Sequence, residues 1–352
     1  MLAMDTTMRV HNQQVNGQTN YKRCAPIFHR EDHKMHMLIV ALDYRHTGRP
    51  LNCVTHARNI EELARQCGVQ VLVPMYDEQC TKEAVLNAIK VMGSKCGPDD
   101  FFLFYFAGHG ASGVGDALPG EPGHDPRADE AVVLVDKSGR VSSESIVLGD
   151  DLSDAILKSV QGETRILLMQ DCSHPAAVLD LSRRPGWSGR QATLIAGLQH
   201  VSDNEDPSKH GLFTHAILLA VDKLSKVGRD NYSVGMLHNA TLFENELVFS
   251  GKQDFVIQTA PNFSTDAMAW PLVPPVGYQA PLSRAAGPAG IRADCQMVGV
   301  TPAMLQHVKQ ENLNIPVSIE EYVSHVQGQS LFQLKPCRAC TAAGCTGTGG
   351  CA

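Results

Sequence analysis

The sequence predicts an α/β fold with a mainly parallel central sheet and helices on both faces. Three observations carry that expectation. Runs of strand length at 35–42, 100–106 and 165–169 are almost wholly apolar, without the alternation of a half-exposed strand. Stretches of helical spacing alternate with such runs. Segments rich in glycine, proline and aspartate punctuate the chain, most clearly over 107–130.

Each element follows in turn. Met35 to Leu42 reads as a fully buried strand. A helix over 53–67 follows from the spacing of Val54, Ala57, Ile60, Leu63 and Ala64, and Gly68 stands where a helix-ending glycine belongs. Val69 to Val73 is a second strand. Thr81 is placed to cap a helix to about Met92, with Glu78 and Glu83 at its positive end. Asp100 to Phe106 is a third strand, and 107–130 is expected to be loop. Residues 131–135 are strand-like, Asp150-Asp151 opens a helix to about Val160, and 165–169 and 192–196 are buried strands. Residues 213–224 are helical. In a sheet of this kind chemistry gathers at the carboxyl ends of the strands.

The organisation expected is a disordered arm over 1–33, one domain over 34–272, an irregular proline-bearing extension over 273–336 and a low-complexity tail over 337–352. Short helices are expected near 302–312 and 318–327. From Ala339 on only Ala, Cys, Gly and Thr occur, which are also the letters of the nucleotide alphabet. That stretch reads either as a disordered tail or as nucleotide text carried into the sequence, and it is assigned no structural role.

Among the 352 residues 43% are hydrophobic and 19% charged, as in a soluble globular protein. A net charge of −7 with no basic block argues against nucleic acid as the main partner. No apolar run is long enough to span a membrane, and Met1 to Asp5 carries neither a charged n-region nor a myristoylation signal. A cytoplasmic location follows by default, with peripheral membrane association left open. Of eleven cysteines, seven are scattered over 24–295 and read as reduced thiols. Cys337-x-x-Cys340 has no second ligand pair at zinc spacing. His33 and His36 are read as flanking the first strand, and Arg183-Arg184 as solvent-exposed.

Two strand ends carry reactive side chains. Tyr105-Phe106-Ala107-Gly108-His109-Gly110 ends one apolar strand in a glycine-flanked turn. Asp171-Cys172-Ser173-His174-Pro175-Ala176 ends a later one. A histidine base on one strand end and a nucleophile on the next is the logic of a Cys/His dyad. The pair, in this order, resembles the metacaspases, relatives of the caspases, over roughly residues 35–225. The resemblance implies a caspase-like sandwich, with His109 as the catalytic base. Asp171 and His174 fit the family pattern only with Ser173 at the position of the cysteine nucleophile. Val178-Leu179-Asp180 fits the same register, and Cys172 is the alternative in a slipped one.

A hydroxyl is far less ionised near neutral pH than a thiol, and it needs a base held by a third group and a matched oxyanion hole. The resemblance places the pocket for a basic side chain at Cys53, His56, Ala107 and Asp171. His56 replaces an acid there and Ala107 a serine, so the grip on Arg or Lys is weakened. Pro175-Ala176 replaces Ser-Gly and stiffens the following loop. The resemblance also implies calcium, held by Asp129, Asp150, Asp151 and Asp180, although Asp150 or Asp151 alone reads equally as a helix cap. Basic loop residues are self-cleavage sites in active relatives, which makes Arg183 and Arg184 candidate cuts for another protease.

The expectation is an inactive metacaspase, a pseudopeptidase that binds peptides or proteins or regulates active paralogues. The alternatives are a weak, calcium-dependent endopeptidase using Ser173 and directed to Arg or Lys, and a calcium-responsive interaction module. A monomer is expected by resemblance.

Overall fold

The computed structural model describes residues 33–111, 130–173, 179–182, 184–199, 211–226, 231–249, 253–275 and 277–278. In chain order the elements are β1 (Met35–Ala41), α1 (Cys53–Gln66), β2 (Val71–Tyr76), α2 (Lys82–Gly93), β3 (Phe101–Gly108), β4 (Gly110–Ala111) and β5 (Ala131–Val133). There follow β6 (Ile146–Leu148), α3 (Gly149–Ser159), β7 (Arg165–Ser173), β8 (Gln191–Gln199), α4 (Leu212–Lys226), α5 (Val234–Phe249) and β9 (Asp254–Thr259).

Every residue of β1 and β3 is buried, so both strands need cover on two faces. They lie side by side in a six-stranded sheet of order β2-β1-β3-β7-β8-β9. All neighbours pair in parallel except β8 with β9, which is antiparallel. Alternation along β1 sends Met37, Ile39 and Ala41 into one core with residues of α1, α4 and α5. Leu38 and Val40 enter the other core, with residues of α2, α3, β5 and the fully buried Trp187. The sandwich of a mainly parallel sheet between helical layers is the one the sequence predicts. A second, three-stranded antiparallel sheet, β4-β5-β6, borders the carboxyl end of β3.

Helix boundaries follow their local chemistry. Thr81 caps α2 by accepting from the Ala84 N–H at 3.2 Å. At the end of α1 the Gly68 N–H donates to Arg65 O and the Val69 N–H to Ala64 O, both at 3.1 Å, which is the Schellman pattern. The start of α1 has a remote cap, because Asp43 Oδ1 accepts from the Val54 N–H at 2.9 Å.

The structure departs from expectation in several places. Ala107 and Gly108 complete β3 and Gly110–Ala111 form β4, so the start of the expected loop is strand. β7 continues four residues past its expected end, to Ser173. Neither α5 nor β9 is evident from the sequence. α5 shows no clear polar face because several of its polar residues are buried and partnered. The Thr241 hydroxyl donates to Leu237 O, Asn245 Nδ2 donates to Gln253 O, and Glu244 accepts from Lys223 Nζ of α4 at 2.8 Å. The expected arm, the helices near 302–312 and 318–327, and the tail lie outside the described residues.

Burial also sets a pH limit. His238 of α5 has its pKa pushed down to about 4 by burial, only partly offset by a hydrogen bond to the Phe255 backbone. His215 of α4 is pushed well down, again by burial first, with His56 adding to it. Both are neutral when folded and protonate near pH 6.5 when unfolded, so stability falls as pH drops below about 6.5. For His238 the loss continues to about pH 4, at about 1.4 kcal/mol per pH unit. Urea unfolding at pH 7, 6 and 5 should show this slope, and His238→Phe should make it shallower while His215 keeps the remainder.

Candidate functional site

The site is built at the carboxyl ends of β3 and β7. Their parallel register pairs Ala107 with Asp171 and Gly108 with Cys172. One residue further on come His109 and Ser173, so the backbone brings the two expected catalytic positions together. Ser173 is the last residue of β7 and pairs with Gln199 of β8.

His109 is held from three sides. Its N–H donates to the Tyr44 hydroxyl at 2.8 Å, and the Tyr44 hydroxyl donates to Val133 O at 2.6 Å. Its own carbonyl accepts from the Val133 N–H at 3.0 Å. The Tyr44 and His109 rings lie 4.5 Å apart. Tyr44 has a left-handed backbone, φ 53°, and burial pushes its hydroxyl pKa well up, so the phenol stays protonated. A Cβ at position 108 would fall 2.5 Å from the Tyr44 oxygen, which explains the glycine before His109. His109 Nε2 lies 2.8 Å from Arg49 O. A carbonyl only accepts, so Nε2 carries the hydrogen and Nδ1 is the nitrogen able to take a proton. The Arg49 carbonyl is a neutral acceptor for the ring.

Cys172 points to the opposite face from Asp171, into the core that includes Trp187. It is fully buried, and burial pushes its thiol pKa well up, with Asp171 and Glu130 adding to the shift. Such a thiol stays protonated at neutral pH.

The four expected pocket residues cluster, but all are buried. Cys53, His56, Ala107 and Asp171 are 2%, 2%, 1% and 3% exposed. Asp171 Oδ2 accepts from the Thr214 hydroxyl at 2.5 Å and from the Thr214 N–H at 3.2 Å. Because that hydroxyl donates to the carboxylate, it accepts from the Tyr105 hydroxyl, 2.8 Å away. Burial raises the Asp171 pKa against these hydrogen bonds. Burial likewise pushes the Cys53 thiol well up, with Asp171 next in effect. His56, one turn along α1, packs edge-on to His215 at 5.1 Å, and Gly211 lies flat against its ring. Tyr44, Arg49, Thr214 and His215 are absent from the sequence-based set. The only sequence signal for Thr214 and His215 is their place at the start of a helix.

The acidic residues expected to hold calcium are otherwise engaged. Asp150 and Asp151 are exposed in the first turn of α3. Asp150 O accepts from Arg184 Nη1 at 2.5 Å, and Asp150 Oδ1 lies 3.6 Å from the same nitrogen. Asp151 Oδ2 lies 3.6 Å from Lys82 Nζ. Asp180 Oδ1 accepts from the Ser182 N–H at 2.9 Å and hydroxyl at 2.6 Å. Among the described residues no three His, Cys, Asp or Glu side chains are gathered for a metal. Asp129 lies outside the described residues. Calcium takes six to eight oxygens, and the described donors as arranged do not fit it. Arg184 is correspondingly not the free, solvated residue the sequence suggests.

A buried parallel sheet ending in a glycine-flanked histidine beside a second reactive strand end defines a caspase-like α/β domain. Residues 34–182 match the family model of the metacaspase, peptidase C14 domain. Metacaspase-5 of Trypanosoma brucei brucei is 25% identical over 219 residues, 58% of this chain and 35% of that protein. The match thus spans about a third of the relative's length. A crystal structure of a Geobacter sulfurreducens protein aligns over 67% of this chain and 97% of that one, at 18% identity and TM-score 0.46. Through residues 34–182 the chain is similar to the metacaspase family.

The Thr214 hydroxyl is the shared partner of two buried polar groups. Thr214→Val should lower stability by about 1–3 kcal/mol, measured by urea denaturation, because it takes the partner from the buried Tyr105 hydroxyl and leaves Asp171 with backbone donors alone. Thr214→Ser, which keeps the hydroxyl, should cost less than half of that loss.

Proposed function

We propose that this metacaspase-family domain is a pseudopeptidase, which binds peptide or protein partners and cuts them poorly or not at all. The observation that carries the reading is the pairing at the strand ends. The position beside His109 is Ser173, while the preceding residue, Cys172, is buried on the opposite face with its ionisation suppressed. A serine nucleophile depends on a base whose positive charge is balanced, as a buried aspartate does in hydrolytic triads. The Arg49 carbonyl orients His109 without supplying that charge. The expected pocket acid Asp171 is bound to Thr214, and His56 is buried against His215. A basic substrate side chain is therefore offered one carboxyl group here, and that group is buried.

Active paralogous metacaspases are the partners this reading favours, with the chain acting in the cytoplasm. Among the described residues no helix is long and apolar enough to cross a membrane. One observation favours a second reading, a weak endopeptidase directed to Arg or Lys. The tautomer set by Arg49 leaves His109 Nδ1 able to act as a base toward Ser173. A calcium-responsive interaction module would need Asp150, Asp151 and Asp180 released from Arg184, Lys82 and Ser182.

The test is hydrolysis of an arginine-containing fluorogenic peptide by the parent and by Ser173→Cys. The parent should be silent and the variant faster by at least about 10²-fold, since a thiolate forms far more readily than an alkoxide. Cleavage by the parent that Ser173→Ala abolishes would overturn the pseudopeptidase reading in favour of the weak endopeptidase.

A further inference from the structure

The start of α3 concentrates negative charge. Asp150, Asp151 and Asp154 lie within its first six residues, and Asp150 and Asp154 share one face at i, i+4 spacing. Arg184 sits against that face. Its Nη1 donates to Asp150 O at 2.5 Å and lies 3.6 Å from Asp150 Oδ1, while Nη2 lies 3.0 Å from Asp154 Oδ1. The guanidinium side chain is 29% exposed, less than the 60% of Asp150 or the 41% of Asp154.

Arg184 is also held in place from its own backbone. Arg184 O accepts from the Trp187 N–H at 3.0 Å, and Trp187 is fully buried. A Cβ at Gly186 would fall 2.8 Å from Leu157 Cδ1, so this turn lies directly on α3. A second fixed cation adjoins the third acid, since Lys82 Nζ donates to Ile146 O at 3.1 Å and lies 3.6 Å from Asp151 Oδ2. A divalent ion brought to these carboxylates would meet two protein cations already in place.

We propose that Arg184 is a built-in cation, whose guanidinium takes the place at the start of α3 that the family resemblance gives to calcium. The fork of donors on one planar group spans a carbonyl and two carboxylates, a task otherwise needing a multiply coordinated ion. The turn at residues 184–187 is thereby docked on α3 without metal. This inference is independent of the pseudopeptidase reading, because its test reads calcium binding and stability and no peptide cleavage.

The experiment is calorimetric titration of the full chain with calcium chloride to about 10 mM, beyond the weakest usual calcium-module affinities. It is paired with thermal unfolding in calcium and in chelator. The parent should give no binding heat and the same Tm in both. Arg184→Met should lower Tm by about 2–4 °C, the shift of a loss near 1 kcal/mol in a domain of this size. That variant should also bind calcium measurably, and its Tm should then depend on the ion. Calcium binding by the parent, abolished by Asp150→Asn, would overturn the proposal, as would an Arg184→Met variant with unchanged Tm or no calcium binding. If Arg184→Met does not fold, adding Asp150→Asn and Asp154→Asn should restore folding, and failure to do so would count against the proposal.

Discussion

The parallel pairing of β3 with β7 is the constraint on which the remaining structure depends. It sets Ala107 beside Asp171 and Gly108 beside Cys172, and so fixes which residues emerge at the strand ends. Side chains of a strand alternate between faces, so a slip of one residue would exchange Asp171 and Cys172 between the two cores. Asp171 would lose Thr214, and a carboxyl would be driven among Trp187, Leu168 and Phe106. The cost of that exchange locks the register far from any catalytic requirement. The residue at the end of β7 can therefore change while the surrounding geometry persists.

Buried polar groups bind the layers together. Tyr44 joins the end of β3 to β5, through the His109 N–H on one side and Val133 O on the other. Tyr105, Thr214 and Asp171 join β3, α4 and β7 by a chain of donated hydrogens. Asp43 joins the loop after β1 to the start of α1. Each link satisfies a group that would be costly to bury alone. Together they place the residues of the site on parts of the framework that cannot shift independently.

Much of the fold was legible in the sequence, because buried parallel strands are written as unbroken apolar runs. Met37 to Ala41 and Phe101 to Gly108 are of that kind, and caps such as Thr81 and Gly68 mark the helices between them. The strands β4, β5 and β6 are two or three residues long, too short for any periodicity to register. α5 was illegible because Thr241, Glu244 and Asn245 find partners inside the core and erase its polar stripe. At the site, His109 and the Asp171-Cys172-Ser173 strand end could be read from local motifs. The roles of Tyr44, Arg49, Thr214 and Arg184 could not, since each depends on a residue distant in sequence. The acids at α3 show the same limit, for their spacing was visible and the arginine opposing them was not.

The burial of the thiols has a consequence for detection. Cys53, Cys67, Cys80, Cys96 and Cys172 are all buried and unbridged among the described residues. Burial raises the pKa of Cys53 and Cys172 well above the ordinary thiol value and that of Cys80 and Cys96 to about 12. Electrophilic warheads that label working cysteine peptidases capture an accessible thiolate. In a proteome surveyed with such probes these five buried thiols leave no mark.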